Sequence, residues 1–213
     1  MKLRNKVKYC APPRPVRWLL YPVILVIRLL HACYLKTLHF ECVHFELFAE
    51  NLPPGKTAVY VLWNSKCLFL TPYLPRARIK YLTFFDFKHW FLQKMISMKD
   101  DQRLVYQESN RMIFHIITEL KNGRSVVLAG DGPYGPPGIL KEGAIYLGSR
   151  AQVPVIAMKV EVSRSFRLKW RWDQFEIAWP FSKVTITAIP HTVSNGRDLE
   201  VLRKGVGQSL GDY

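Results

Sequence analysis

Asp131 stands inside a loop that carries Gly130, Gly132, Gly135 and Gly138 together with Pro133, Pro136 and Pro137. Glycine lets backbone approach a ligand closely, and proline holds a loop's shape at little entropic cost. A carboxylate among free backbone amides in such a loop suits the orientation of a polar substrate. The flanking residues say where the loop sits. The apolar run Ser125–Ala129 precedes it, a helical pattern over Lys141–Ala151 follows, and a second apolar run, Val153–Val162, comes next. That order predicts a strand, a loop, a helix and a parallel strand. The loop then lies at a strand's carboxyl end and feeds a helix amino terminus, a place suited to an anionic substrate. A tight connection that binds nothing is the alternative reading of the same residues.

Other side chains with chemical capability are scattered. His89 and Asp86 lie in FFDFKHW, close to the end of a strand that starts at Ile79, and His89 is a candidate general base. His115 lies in MIFHIITEL, where Ile113, Ile116, Ile117 and Leu120 mark the buried stripe of a helix. Cys67 could act as a nucleophile only beside a neighbour that lowers its pKa, and on a strand Lys66 would point the other way. His31, His39, His44 and His191 fall in the amino-terminal segment or at a strand end, and no spacing suits a metal ion. Cys10, Cys33, Cys42 and Cys67 lack CxxC spacing and read as free thiols in a reducing compartment.

The stretch DGPYGPP, the G-A-x-x-L of Gly143–Leu147 and the VPVI of Val153–Ile156 resemble the later blocks of the lysophospholipid acyltransferase superfamily. The similarity is greatest to its DUF374-like branch, near the lipid A acyltransferases. It continues through Ser163–Pro190, where Trp172-Asp173 and Pro180-Phe181 have similar spacing, and covers roughly Leu47 to Pro190. The resemblance implies acyl transfer from acyl-CoA or acyl-ACP, as co-substrate and without a cofactor, to a hydroxyl on a lipid. In that family a histidine deprotonates the hydroxyl, oriented by a carboxylate five positions on. Here the resemblance assigns that position to Asn64, followed by Ser65 and Lys66, and five residues on stands Phe69. Asparagine has no nitrogen that takes a proton near neutral pH, and general base assistance contributes about 10²–10⁴-fold in rate. The family's Arg-Gly-Ser-Ser phosphate contact corresponds to Tyr106, Gln107, Glu108 and Ser109. The resemblance thus implies a site of Asn64 and Asp131, with His89 as a substitute base. Gly130, Gly132, Pro133, Gly135, Lys66, Ser109 and Arg111 would hold substrate.

Composition fits a domain that touches something anionic. The 213 residues carry a net charge of +15, which suits a membrane surface, nucleic acid or an acidic partner without choosing among them. The first forty residues hold Lys2, Arg4, Lys6, Lys8, Arg14, Arg17, Arg28 and Lys36, with no acid before Glu41. Within them Trp18–Leu30 is apolar but interrupted by Pro22 and Arg28. A full span needs about 20 apolar residues, so a helix lying in or tilted into the interface is expected. A mitochondrial presequence and a core helix are the alternatives.

Residues 41–213 form the domain proper, and residues 1–40 a basic membrane-interface segment. After a turn at Asn51–Gly55, strands are expected at Thr57–Trp63, Ile79–Phe85, Arg103–Tyr106 and Lys183–Ile189, with helices at Lys88–Met98 and Asn110–Lys121. Arg197–Leu210 reads as a weakly amphipathic tail, a helix broken by Gly205 and Gly207. In FRLKWRW, Phe166, Leu168, Trp170 and Trp172 alternate with Arg167, Lys169 and Arg171, the pattern of a strand with an aromatic and a cationic face. Such a strand could be an edge, touch a bilayer or stack bases. No nucleic-acid motif accompanies the charge, so nucleic acid is the least favoured partner. The expectation is an α/β fold with a mixed, mostly parallel sheet flanked by helices, on the cytoplasmic face of a membrane or on a mitochondrial membrane. Its partners are membrane lipid, an anionic membrane surface and other protein subunits. Two functions stand open: a lipid acyltransferase, or a catalytically silent relative that binds lipid within a larger membrane assembly.

Overall fold

The computed structural model describes residues 14–48, 52, 56–73, 79–83, 103–105, 110–132, 134–192 and 199–211. The elements in chain order are α1 (Arg14–Thr37), β1 (His39–Val43), a 3₁₀ turn (Phe45–Leu47), β2 (Val59–Leu62), a 3₁₀ helix (Asn64–Leu70), β3 (Ile79–Thr83) and β4 (Arg103–Val105). There follow α2 (Asn110–Lys121), β5 (Ser125–Ala129), α3 (Gly143–Ala151), β6 (Val155–Val162), β7 (Ser165–Arg167), β8 (Glu176–Ala178), β9 (Lys183–His191) and α4 (Leu199–Ser209).

A seven-stranded sheet runs in the order β1-β9-β6-β2-β5-β3-β4, and β7 and β8 form a separate antiparallel hairpin. Neighbours in the large sheet are parallel except β6 and β9, so β1 and β9 run against the other five. This is the expected mixed, mostly parallel α/β architecture. Central β2 reads as an unbroken apolar run because both of its faces are covered. Period two then divides its residues. Tyr60 and Leu62 join Val127, Ile156, Ile186 and Phe69 on one face, where Tyr34 and Leu35 of α1 also pack. Val59 and Val61 join Val126, Val155 and residues of α2, α3 and α4 on the other.

Several expectations change. β1 was not foreseen; five residues with alternating exposure give little signal at a sheet edge. The helix at the carboxyl end passes through Gly205 and Gly207 unbroken, because Val206 and Leu210 are buried in the core and their packing outweighs the low helix propensity of glycine. The alternating FRLKWRW strand stops at Arg167, and Leu168–Gln174 turns back toward the domain. The expected helix Lys88–Met98 lies outside the described residues, as does most of the Asn51–Gly55 turn.

β9 joins the reversed pair to the parallel strands, and Ile186 at its middle is fully buried. Ile186→Ala is expected to destabilise the domain by about 2–5 kcal/mol, from lost burial plus the cavity left behind. Thermal or urea unfolding in detergent checks this, and an unchanged midpoint would contradict β9's place in the core.

Candidate active site

β2 and β5 are adjacent and parallel, so the loops after both emerge at the same end of the sheet. After β2 the chain turns at Trp63 into the 3₁₀ helix that begins with Asn64. After β5 comes the glycine loop. Gly130 joins the two: its N–H donates to Leu62 O at 2.7 Å, and its carbonyl accepts from Lys141 at 2.8 Å. A side chain at Gly130 would stand 2.9 Å from Leu140 and 3.0 Å from Val61. Gly135 adopts φ +70°, and a Cβ there would stand 2.9 Å from the Trp172 ring. Glycine is needed at 135 for both reasons.

This arrangement brings Asn64 and Asp131 together. The Asn64 backbone N–H donates to Asp131 Oδ1 at 3.1 Å. Its side-chain amide donates to Asp173 Oδ2 at 3.0 Å. The Cys67 thiol lies 3.7 Å from Asn64 Oδ1 and 3.8 Å from the Trp63 carbonyl oxygen. Asp131 and Asp173 are both 0% exposed. Asp173 is bound by Arg171 through two hydrogen bonds of 2.7 Å. Among the described residues, Asp131 Oδ2 is buried without a hydrogen-bond partner. Burial raises the Asp131 pKa to about 6; backbone N–H groups, including those of Asn64 and Gly138, pull the other way, and the charge of Asp173 adds to the rise.

Lys66 is buried and paired with Glu176, which also accepts from Ser165 at 2.6 Å and lies 3.4 Å from Arg167. Burial opposes the Glu176 carboxylate, but Lys66, Ser165 and Arg167 outweigh it and hold its pKa below the ordinary value. Expected as a substrate contact, Lys66 commits its charge to Glu176. Phe69 points into the core.

The remaining candidates fall elsewhere. Gly132 adopts φ +66° against the Lys141 side chain. Arg111 stands in the first turn of α2. His89 with Asp86, Tyr106–Ser109 and Pro133 lie outside the described residues. His115 is exposed on α2, away from the buried stripe. His191 meets Ser209 at 2.9 Å and ties β9 to α4, while His31 on α1 approaches Thr71 at 3.4 Å. No cluster suited to a metal ion occurs among the described residues.

Asp173, Arg171 and Glu176 were not singled out as site residues. The contacts span 109 and 110 positions, which no local pattern encodes. A signal was present: Asp173 and Glu176 are the only acids between Glu161 and Asp198, in a run rich in Arg and Lys.

For Asp131 the sign of the pH effect is fixed. Its pKa rises from 3.8 to about 6 on folding, so its favourable contribution is complete below pH 4 and is lost as pH climbs through 6. His31 and His191, held below their ordinary value by burial, act oppositely, losing stability as pH falls through 6.5. Comparing wild type with Asp131→Asn cancels the histidines. The variant's melting temperature is expected to gain on wild type by a few degrees between pH 4 and 7; a pH-independent difference would contradict the buried acid.

Comparison with known proteins adds to this geometry. The chain matches no protein-family model. An uncharacterized protein of Rickettsia prowazekii (strain Madrid E) is 30% identical over 102 residues, which are 45% of this chain and 46% of that protein. The chain thus spans about half the length of the curated relative it matches. Among solved structures it is similar to the 1-acyl-sn-glycerophosphate (LPA) acyltransferase PlsC of Thermotoga maritima. That similarity has a TM-score of 0.53 and 16% identity, and covers 93% of this chain and 81% of that one. The fold is acyltransferase-like.

Proposed function

We propose that this is a membrane-seated lipid-binding protein on an acyltransferase scaffold, lacking the histidine-driven transfer that the DUF374-like resemblance implies. One observation carries the reading. Asn64, at the position assigned to the base, donates its amide to the buried Asp173, and no histidine among the described residues hydrogen-bonds to it. An amide so used can hold a polar group but cannot take its proton. Asp131 and the glycine loop remain to meet the lipid's polar part; of the residues expected to line an acyl groove, Trp63, Phe69 and Leu70 are packed in the core and Leu68 is half-buried.

The membrane part of the reading rests on α1. Trp18–Thr37 is long and apolar enough to cross a membrane, with mean hydropathy 1.8. Its packing favours a placement other than a full crossing. Ile24 is buried and Leu20, Ile27, His31, Tyr34 and Leu35 are half-buried, a helical seam that runs along the domain. Trp18, Leu19, Tyr21, Val23, Leu25, Val26, Leu29 and Leu30 are exposed around the rest of it. A helix with one flank on its own domain and apolar side chains elsewhere suits the plane of the interface.

Acyl transfer with a displaced base is the second reading, and Asp131 is the observation in its favour: a carboxylate with pKa about 6 beside Asn64 has a base's titration range. Acyl-CoA and acyl-ACP assayed against lysolipids separate the two. The expected result is lipid binding without transfer by wild type, and transfer gained by Asn64→His, about 10²-fold or more above background. Asp173 is placed to orient the new ring. Wild-type transfer abolished by Asp131→Ala would overturn the silent reading.

A further inference from the structure

The β7–β8 hairpin carries aromatic residues that the domain leaves in solvent. Trp170 at its turn is 80% exposed, and beyond β8 Trp179 and Phe181 are 54% and 69% exposed. Phe166 and Trp172 are exposed to a smaller degree, and the Phe166 and Trp179 rings lie 5.4 Å apart. These are not residues missing a core. The hairpin closes by its own ladder, and Trp179 N–H donates to Arg164 O at 2.9 Å. Phe181 holds φ 64°, a costly conformation for an aromatic residue, and its N–H donates to Thr37 O at 3.1 Å. Tyr34 OH donates to Ala178 O at 2.9 Å. The aromatic group therefore adjoins the carboxyl end of α1, whose own exposed faces are apolar. Arg164 and Lys169 are exposed cations of the same segment, beside the exposed Arg167, Arg171 and Lys183, which pair with Glu176, Asp173 and Glu41.

We propose that the hairpin and the Trp179–Phe181 turn are a second bilayer contact, seated on an anionic membrane surface beside α1. Indole rings favour the headgroup level, where their apolar body and N–H are both accommodated, and exposed Arg and Lys meet anionic lipid there. The contact has a consequence for the site. Asp173 and Glu176 belong to the hairpin and hold Asn64 and Lys66, and Trp172 packs on Gly135. Seating the hairpin brings the rim of the site to headgroup depth, where a lipid's polar part lies. The proposal rests on the membrane reading of α1, and the experiment keeps the two apart.

The full-length protein is tested by flotation with phosphatidylcholine vesicles, with and without about a third phosphatidylglycerol, beside quenching of its tryptophans by brominated phospholipid. The variants are Trp170→Ser with Trp179→Ser, and Leu25→Glu with Leu29→Glu in α1. Since Trp170 and Trp179 are exposed, the hairpin variant should melt like wild type. Expected are binding of wild type, about tenfold or more weaker binding of the hairpin variant to anionic vesicles, and reduced bromine quenching. Equal binding of the hairpin variant and wild type, with the fraction of tryptophan fluorescence quenched by bromine unchanged, would overturn the hairpin contact while leaving α1's role intact. Failure of wild type to float would overturn both. Loss of salt-sensitive polyuridylate RNA binding by the hairpin variant, with vesicle binding kept, would assign the aromatic surface to nucleic acid and overturn the proposal.

Discussion

A carboxylate without solvent exposure must be neutralised or fully hydrogen-bonded, and Asp173 is such a group. Arg171, two residues before it, supplies a bidentate partner, but the Arg171 side chain itself reaches solvent. The third donor comes from Asn64, across 109 positions of chain. That demand explains the local shape. To bring Asp173 inward and keep Arg171 over it, the chain leaves the β7 strand after Arg167 and turns, with the Arg171 N–H on Leu168 O and the Gln174 N–H on Arg171 O. Arg171 also lies over the Phe175 ring, 5.1 Å from its centre.

The second tie has the same character. Lys66 and Glu176 are both buried; removal of Glu176 would strand the Lys66 charge in the interior, whereas without Lys66 the carboxylate would lean on Arg167 and Ser165. Asn64 and Lys66, on the first turn of one 3₁₀ helix, are thus held by two acids of one hairpin. Buried ion pairs add little net stability compared with apolar packing, but they define registry. Here the registry fixed is that of the hairpin against the carboxyl ends of β2 and β5. The glycine loop completes it through Gly130 beneath and Gly135 against Trp172. Site and hairpin form one unit.

The parts legible in the sequence were those whose pattern is local. The helix Asn110–Lys121 and strand Ser125–Ala129 appear with the bounds their periodicity and flanking residues predict. The mixed sheet follows from strand and helix alternation, and Asn64 and Asp131 do meet. What was hidden depended on distant partners. On a strand Lys66 would point away from its neighbour Cys67; a 3₁₀ helix places it on Glu176 instead. The FRLKWRW alternation is genuine period two, yet only Ser165–Arg167 finds a strand partner, because Asp173 draws the rest into a turn. Gly205 and Gly207 weaken a helix in isolation, and the packing of Val206 and Leu210 overrides them.

Histidine performs two tasks at a base position: one ring nitrogen donates to a carboxylate, and the other accepts the proton. Asn64 performs the first through Nδ2, which reaches Asp173 as a ring N–H would. The second is absent, because amide Oδ1 is a hydrogen-bond acceptor of very low basicity. The asparagine therefore satisfies the buried Asp173 while leaving the neighbouring Asp131 as the group that titrates near pH 6. Replacing it with a small apolar residue would leave Asp173 one donor short, whereas asparagine keeps the hairpin, the 3₁₀ helix and the glycine loop in register. The structural demand at position 64 is thus met by the amide, through its bond to Asp173.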